Sequence, residues 1–159
     1  MNWMDQLQIL GEVAVAMLLG AFIGAEREIA EKPAGLRTQM LVAGAAALLV
    51  GLGDAMLIRF GKSAGSGVLQ SDPIRIIEAV VTAVGFLGAG TIIRRGDTDH
   101  VGGLTTAASI LFAAAVGICV ALRQFVLALG VTILALLTLH SVKWVESRFL
   151  RRRGAAAEK

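Results

Sequence analysis

Apolar residues in this chain come in long continuous runs, and these predict five helices, over residues 7–25, 38–58, 74–93, 104–122 and 125–142. Each run is near the length of a bilayer crossing. A hydrocarbon core of ~30 Å takes about 20 helical residues at ~1.5 Å of rise each. The runs do not alternate, so they do not read as barrel strands, where lipid-facing and lumen-facing positions alternate. The expected fold class is all-α: a polytopic membrane helix bundle of about five transmembrane helices. Residues 1–142 form the transmembrane domain and residues 143–159 a basic cytoplasmic tail.

Composition agrees with the pattern. Of 159 residues, 56% are hydrophobic, 17% charged and 5% aromatic, with a mean hydropathy of +0.75. That is too apolar for an ordinary soluble domain and too poor in charge for a disordered chain. The single cysteine, Cys119, excludes an internal disulfide framework and a multi-thiolate metal site. Nineteen glycines and two prolines without a Gly-X-Y period exclude collagen-like or proline-rich sequence.

The net charge of +3 could hint at nucleic acid, but its distribution reads as topology. The first connection carries Arg27, Lys32 and Arg37, and the third carries Arg94 and Arg95. The tail adds Lys143, Arg148, Arg151, Arg152, Arg153 and Lys159, which brings that side to eleven. The other side holds four: Arg59, Lys62, Arg75 and Arg123. The positive-inside rule puts the side with eleven in the cytoplasm, so the N-terminus is expected outside and the C-terminus inside. Residues 1–6 carry no Lys or Arg. Without a positive n-region no cleavable signal peptide is expected, and the first span stays in the mature protein.

Two boundaries are weakly marked. Only Arg123 and Gln124 separate the fourth and fifth spans, a tight hairpin without Gly or Pro. Asp54 either ends the second span or lies inside it. The connection over residues 61–71 is rich in Gly and Ser and has a flexible composition. It leads into Asp72-Pro73, a carboxylate at the N-cap and a proline at the first helical position, which start the third span. The tail places Trp144 and its arginines at the headgroups, with a frayed end.

Four constellations could carry chemistry. Glu26, Arg27 and Glu28, with Glu31, Lys32 and Arg37, flank the turn Pro33-Ala34-Gly35. They form either a solvated interfacial loop with weak salt bridges or a defined network. Asp72, Arg75 and Glu78 lie three apart at the start of the third span, so neighbours can interact. Glu78 is about 7.5 Å into the helix, with Arg75 as its nearest candidate partner. It reads either as part of a structural ion pair or as an ion or proton site.

Gly85, Gly88 and Gly90 look superficially like a phosphate loop, but no strand precedes them. Small residues in lipid more naturally let helices approach, and Gly20 and Gly24, and Ala113 and Gly117, offer matching faces. A locally unwound helix lining a cavity is the sharper alternative. Gly103, Thr105, Thr106 and Ser109 open the fourth span. Their hydroxyls either bond the local backbone or line a polar path with Gly90 and Thr91. His100 and His140 read as interfacial and Cys119 as packing. No triad or cofactor motif is present, so no enzyme and no cofactor is expected, and the metal content is left open.

Three stretches in order resemble the MgtC/SapB family of bacterial inner-membrane proteins. They are Leu19-Gly20-Ala21-Phe22-Ile23-Gly24-Ala25-Glu26-Arg27-Glu28 continuing to Lys32-Pro33-Ala34-Gly35-Leu36-Arg37-Thr38; Asp72-Pro73-Ile74-Arg75 with Gly85-Phe86-Leu87-Gly88-Ala89-Gly90-Thr91-Ile92-Ile93-Arg94; and Gly103-Leu104-Thr105-Thr106-Ala107-Ala108-Ser109. The resemblance covers roughly residues 7–142. It implies a multi-pass protein of the bacterial inner (cytoplasmic) membrane, associated with growth in low magnesium and, in intracellular pathogens, with survival inside host cells. By the same resemblance its partners include other membrane proteins, such as the ATP synthase or small membrane peptides. Well-known members carry a soluble C-terminal ACT-like domain, and this sequence corresponds to their transmembrane part.

Two functions follow as expectations. The first is a regulatory or interaction protein in magnesium homeostasis or stress, working through helix–helix contact in the lipid bilayer, with a homo-oligomer conceivable and no nucleic acid involved. Its small faces pack helices, and Glu26, Arg27, Arg37, Asp72 and Arg75 set register. The rival is a cation transporter or channel, Mg²⁺ included. There Asp72, Glu78 and Asp54 would supply oxygen ligands, and Thr105 and Thr106 would line the path.

Overall fold

The computed structural model describes residues 2–61, 73–94 and 101–154. Five helices hold most of them: α1 (Trp3–Ile29), α2 (Leu36–Gly61), α3 (Pro73–Ala89), α4 (Leu104–Ala121) and α5 (Phe125–Gly154). The fold is an all-α bundle. Among the described residues three stretches are long and apolar enough to cross a membrane: Trp3–Ile29, Leu36–Leu57 and Leu104–Ala121. Phe125–Ser141 is a shorter apolar helix. At 17 residues, α3 sits at the short end of what can span. The Gly/Ser connection beyond Gly61, the Asp72 cap and His100 lie outside the described residues.

Helix α1 runs four residues beyond each expected end and α2 two to three, and two further ends differ more in kind. The third helix stops at Ala89, not at residue 93. Thr91 N–H donates to the Gly88 carbonyl at 2.9 Å and Ile92 N–H to that of Ala89 at 3.1 Å, closing a turn. The chain then enters a short strand β1 (Ile93–Arg94), paired antiparallel with β2 (Val101–Gly102) so that Ile93 faces Gly102. The apolar Ile92-Ile93 pair carried the hydrophobic run past the end of the helix. In α5 the backbone stays helical to Gly154, through most of the expected tail. Apolarity ends near residue 142, but no Pro or Gly interrupts the helix between residue 142 and Gly154.

Both hairpins close without glycine at the left-handed position. At the end of α1, Glu31 has φ 53°, with Lys32 N–H bonded to the Arg27 carbonyl and Glu31 N–H to that of Glu28, each at 3.0 Å. At the end of α4, Arg123 has φ 59°, with Gln124 N–H on the Cys119 carbonyl and Arg123 N–H on that of Val120, each at 2.9 Å. Both are Schellman turns, which satisfy the last helical carbonyls.

Helix α2 packs between α1 and α4, α5 lies against α1 and α4, and α3 sits at the edge against α4 and α2. The centre is built from alanine: Ala16, Ala43, Ala47, Ala113 and Ala128 are buried together with Ile23, Val116 and Val120. In lipid, helices are held by close van der Waals packing rather than by exclusion of water, and small side chains permit the approach.

Candidate functional site

Two polar clusters lie at opposite ends of this alanine core. The first joins the last turn of α1, the first turn of α2 and the start of α4. Arg27 is 3% exposed, and its Nη2 donates to Thr106 Oγ1 at 3.0 Å. Its Nε has no hydrogen-bond partner among the described residues. Gln39 is fully buried and donates from Nε2 to the Ala34 carbonyl at 3.2 Å and to Ser109 Oγ at 2.9 Å. Ser109 in turn donates to the Thr106 carbonyl at 2.8 Å. One turn of α4 thus receives α1 through Arg27 and α2 through Gln39. A buried guanidinium with a neutral hydroxyl partner is costly and holds its surroundings in one arrangement.

The residues around it have separate tasks. Glu28 accepts the Leu36 N–H at 2.8 Å, a carboxylate cap on the positive end of α2. Glu26 is half-buried, while Arg37 and Thr105 are exposed. Of the predicted hydroxyls, Thr106 and Ser109 are therefore drawn inward. Thr91 bonds its own backbone at Gly88.

The second cluster holds an acid that sequence reasoning passed over. Glu12, within α1, is 8% exposed. Its Oε1 accepts from Arg123 Nε at 3.2 Å and from Gln8 Nε2 at 3.1 Å. Arg123 stands between two cavities. One, of about 240 Å³, is lined by Asp54 with Val50, Leu57, Ile76 and Ile77. The other, of about 300 Å³, is lined by Gln8, Gly11, Glu12, Val15 and Phe125. Arg123 lines the cavity beside Asp54, while its Nε is held by Glu12, which lines the other cavity. Among the described residues no three His, Cys, Asp or Glu side chains group as metal ligands.

The remaining predicted residues scatter. Arg75 and Glu78 are exposed on α3 and form no ion pair with each other. Asp72 lies outside the described residues. His140 is exposed and Cys119 half-buried. A Cβ on Gly20 would sit 2.6 Å from the Gln39 carbonyl oxygen, and one on Gly24 2.6 Å from Leu36 Cα, so α1 meets α2 at backbone contact. Gly117 meets Ala43 of α2 in the same way. Gly88 faces Ala107 of α4 at ordinary contact, while Gly85 has open space and Gly90 meets only its own turn. Gly103 has φ 91°, and a side chain there would overlap the Thr91 carbonyl.

Two residues were missed, Glu12 and Gln39. A lone acid inside an apolar run is itself a signal, because an unpaired charge there is expensive. Gln39 carries no comparable mark, being uncharged and near a helix start.

Comparison with known proteins agrees with this architecture. The model of the MgtC family matches residues 13–148. The chain belongs to the MgtC family. Protein SapB of Bacillus subtilis is 31% identical over 145 residues, covering 91% of this chain and 61% of that protein. Protein MgtC of Salmonella typhimurium is 44% identical over 121 residues, covering 76% and 46%. "Putative magnesium transporter YhiD" of Escherichia coli is 34% identical over 149 residues, covering 91% and 64%. The chain thus spans about half to two thirds of these relatives. No solved structure matches it. With three helices apolar and long enough to cross a bilayer, this member of the MgtC family is a membrane protein.

Proposed function

We propose that the chain is a non-enzymatic regulatory or interaction protein of the bacterial inner membrane, acting in adaptation to low magnesium, with its N-terminus outside. The magnesium link rests on the names of its relatives and on family membership. The observation that carries the regulatory reading is how its buried polar groups are used. Arg27 bonds Thr106 and Gln39 bonds Ser109, each tying one helix to another, and Glu12 bonds Arg123, tying α1 to the turn between α4 and α5. Between the two clusters lie Ala16, Ala43, Ala47 and Ala113, all buried. That is the composition of a scaffold, with charges setting register and small residues setting distance.

A cation transporter is the second reading. It is favoured by the Asp54-lined cavity and by the name of the Escherichia coli relative. Against it stands the lining of that cavity, in which Asp54 is the one acid among Val50, Leu57, Ile76, Ile77, Ala121, Leu122 and Arg123. The test pairs two measurements on one protein. A bacterium lacking its own family member is complemented with this chain and grown in limiting magnesium, and the purified chain is assayed for Mg²⁺ flux in liposomes. Restored growth without flux above empty liposomes is expected. Flux that Asp54→Asn abolishes would overturn the regulatory reading in favour of transport.

A further inference from the structure

Helix α3 carries its polar residues on the side turned away from the bundle. Val80 and Gly88 are buried and Ile76, Ile77 and Val84 half-buried, which fixes the inward face against α4 and α2. Arg75, Glu78, Thr82, Gly85 and Ala89 are all exposed. At ~100° per residue they form one stripe opposite Val80 and Val84. Their numbers step by three, four, three and four, the a/d spacing of a left-handed helix pair.

This arrangement is inverted for a lone helix in lipid, where ionisable groups turn to the bundle interior. Among the described residues, neither the Arg75 guanidinium nor the Glu78 carboxylate has a hydrogen-bond or ion-pair partner. The Thr82 hydroxyl is already satisfied by the Glu78 carbonyl at 2.7 Å, so it adds bulk without polar demand. Gly85 has nothing within 4 Å of the place of a Cβ. The stripe has charge at one end, small residues at the other, and no cover.

We infer that a second copy of this chain covers it, as a two-fold dimer in which α3 packs on α3 with reciprocal Arg75–Glu78 pairs. The stripe is self-complementary: it offers one cation and one anion a single turn apart. Two copies inserted with the same topology are related by an axis along the membrane normal, so their α3 helices run parallel. In a parallel pair each Arg75 reaches the partner's acid one turn along, and the operation that forms one bridge forms the other. Thr82, Gly85 and Ala89 then set close approach below the charges. A foreign helix would have to supply both charges at matching height. The inference does not rest on the magnesium reading and survives if that reading fails.

The test uses the full chain in membranes, with Cys119→Ser removing the native thiol. Thr82→Cys, Gly85→Cys and Ala89→Cys are oxidised separately, beside Val126→Cys, a site 88% exposed on α5. The three stripe positions are expected to give disulfide-linked dimers of this chain, and Val126→Cys only background. Glu78→Arg should weaken the dimer roughly tenfold, and Arg75→Glu combined with Glu78→Arg should restore it, which also shows that the variants insert and fold. Equal yields at Val126, no dimer from the stripe, failure of the double swap to restore, or crosslinks to a different protein each overturn the inference.

Discussion

Arg27, in the last turn of α1, donates a hydrogen bond at 3.0 Å to Thr106, 79 residues away in the first turn of α4. Arg27 is 3% exposed and Thr106 2%. The bond closes one end of the bundle across three helices, because Gln39 of α2 lands on the same turn of α4 through Ser109.

An asymmetry follows for mutation. Thr106→Val removes an acceptor and leaves a buried charged donor unsatisfied, a loss of about 1–3 kcal/mol. Arg27→Met combined with Thr106→Val removes donor and acceptor together. The double variant is therefore expected to melt higher than Thr106→Val alone when thermal unfolding is followed in detergent. If the double variant is the less stable of the two, the guanidinium has favourable interactions beyond its threonine, and the assignment of this bond as its anchor fails.

Two glycines in equally helical surroundings should respond with opposite sign. A Cβ on Gly20 would lie 2.6 Å from a backbone carbonyl of α2, which has no rotamer with which to give way. Gly20→Ala is expected to cost about 1–3 kcal/mol by forcing α1 from α2. Gly130, in α5, has nothing within 4 Å, so Gly130→Ala is expected to gain up to about 1 kcal/mol of helix propensity. Equal responses at both sites would mean that backbone contact does not hold α1 to α2.

Five helices were legible because each apolar run is about a bilayer long, and hydropathy reports that length directly. Helix ends were less legible wherever hydropathy and backbone geometry part company. Ile92 and Ile93 are apolar but follow a turn, and the basic residues after Val142 are polar but helical. Arg27 and Thr106 could each be singled out from their local context, one a charge beside an apolar run and the other a hydroxyl at a helix start. Their contact could not, because no periodicity spans the intervening chain. Glu12 and Arg123 meet by the same long-range geometry.

Gly103 holds the junction between β2 and α4. Its φ of 91° is open to glycine and strained for other residues. A Cβ there would also strike the Thr91 carbonyl, which belongs to the turn after α3. Gly103→Ala is expected to destabilise by roughly 2 kcal/mol or more, combining the left-handed penalty with the overlap. The damage should be local: amide exchange should speed up first at Ala107, whose N–H bonds the Gly103 carbonyl at 2.9 Å. Unchanged exchange there would show that the junction accommodates a side chain.

Arg123 combines two roles that oppose each other. As the left-handed residue of a Schellman turn it stands where glycine would relieve about 1–2 kcal/mol of backbone strain. As the partner of Glu12 it neutralises a carboxylate that is 8% exposed. Its own side chain is 60% exposed, so solvent screens part of the pair's attraction, but the loss of that cation leaves Glu12, among the described residues, with only the Gln8 amide. In the native background Arg123→Gly is therefore expected to destabilise, because an acid stranded in the bundle costs more than the turn gains. With Glu12→Leu already in place no acid is left to strand, and the same Arg123→Gly should stabilise. Thermal unfolding of the four proteins in this cycle reads the change of sign directly. The same sign in both backgrounds would mean that the turn alone, and not its reach to Glu12, decides what residue 123 contributes.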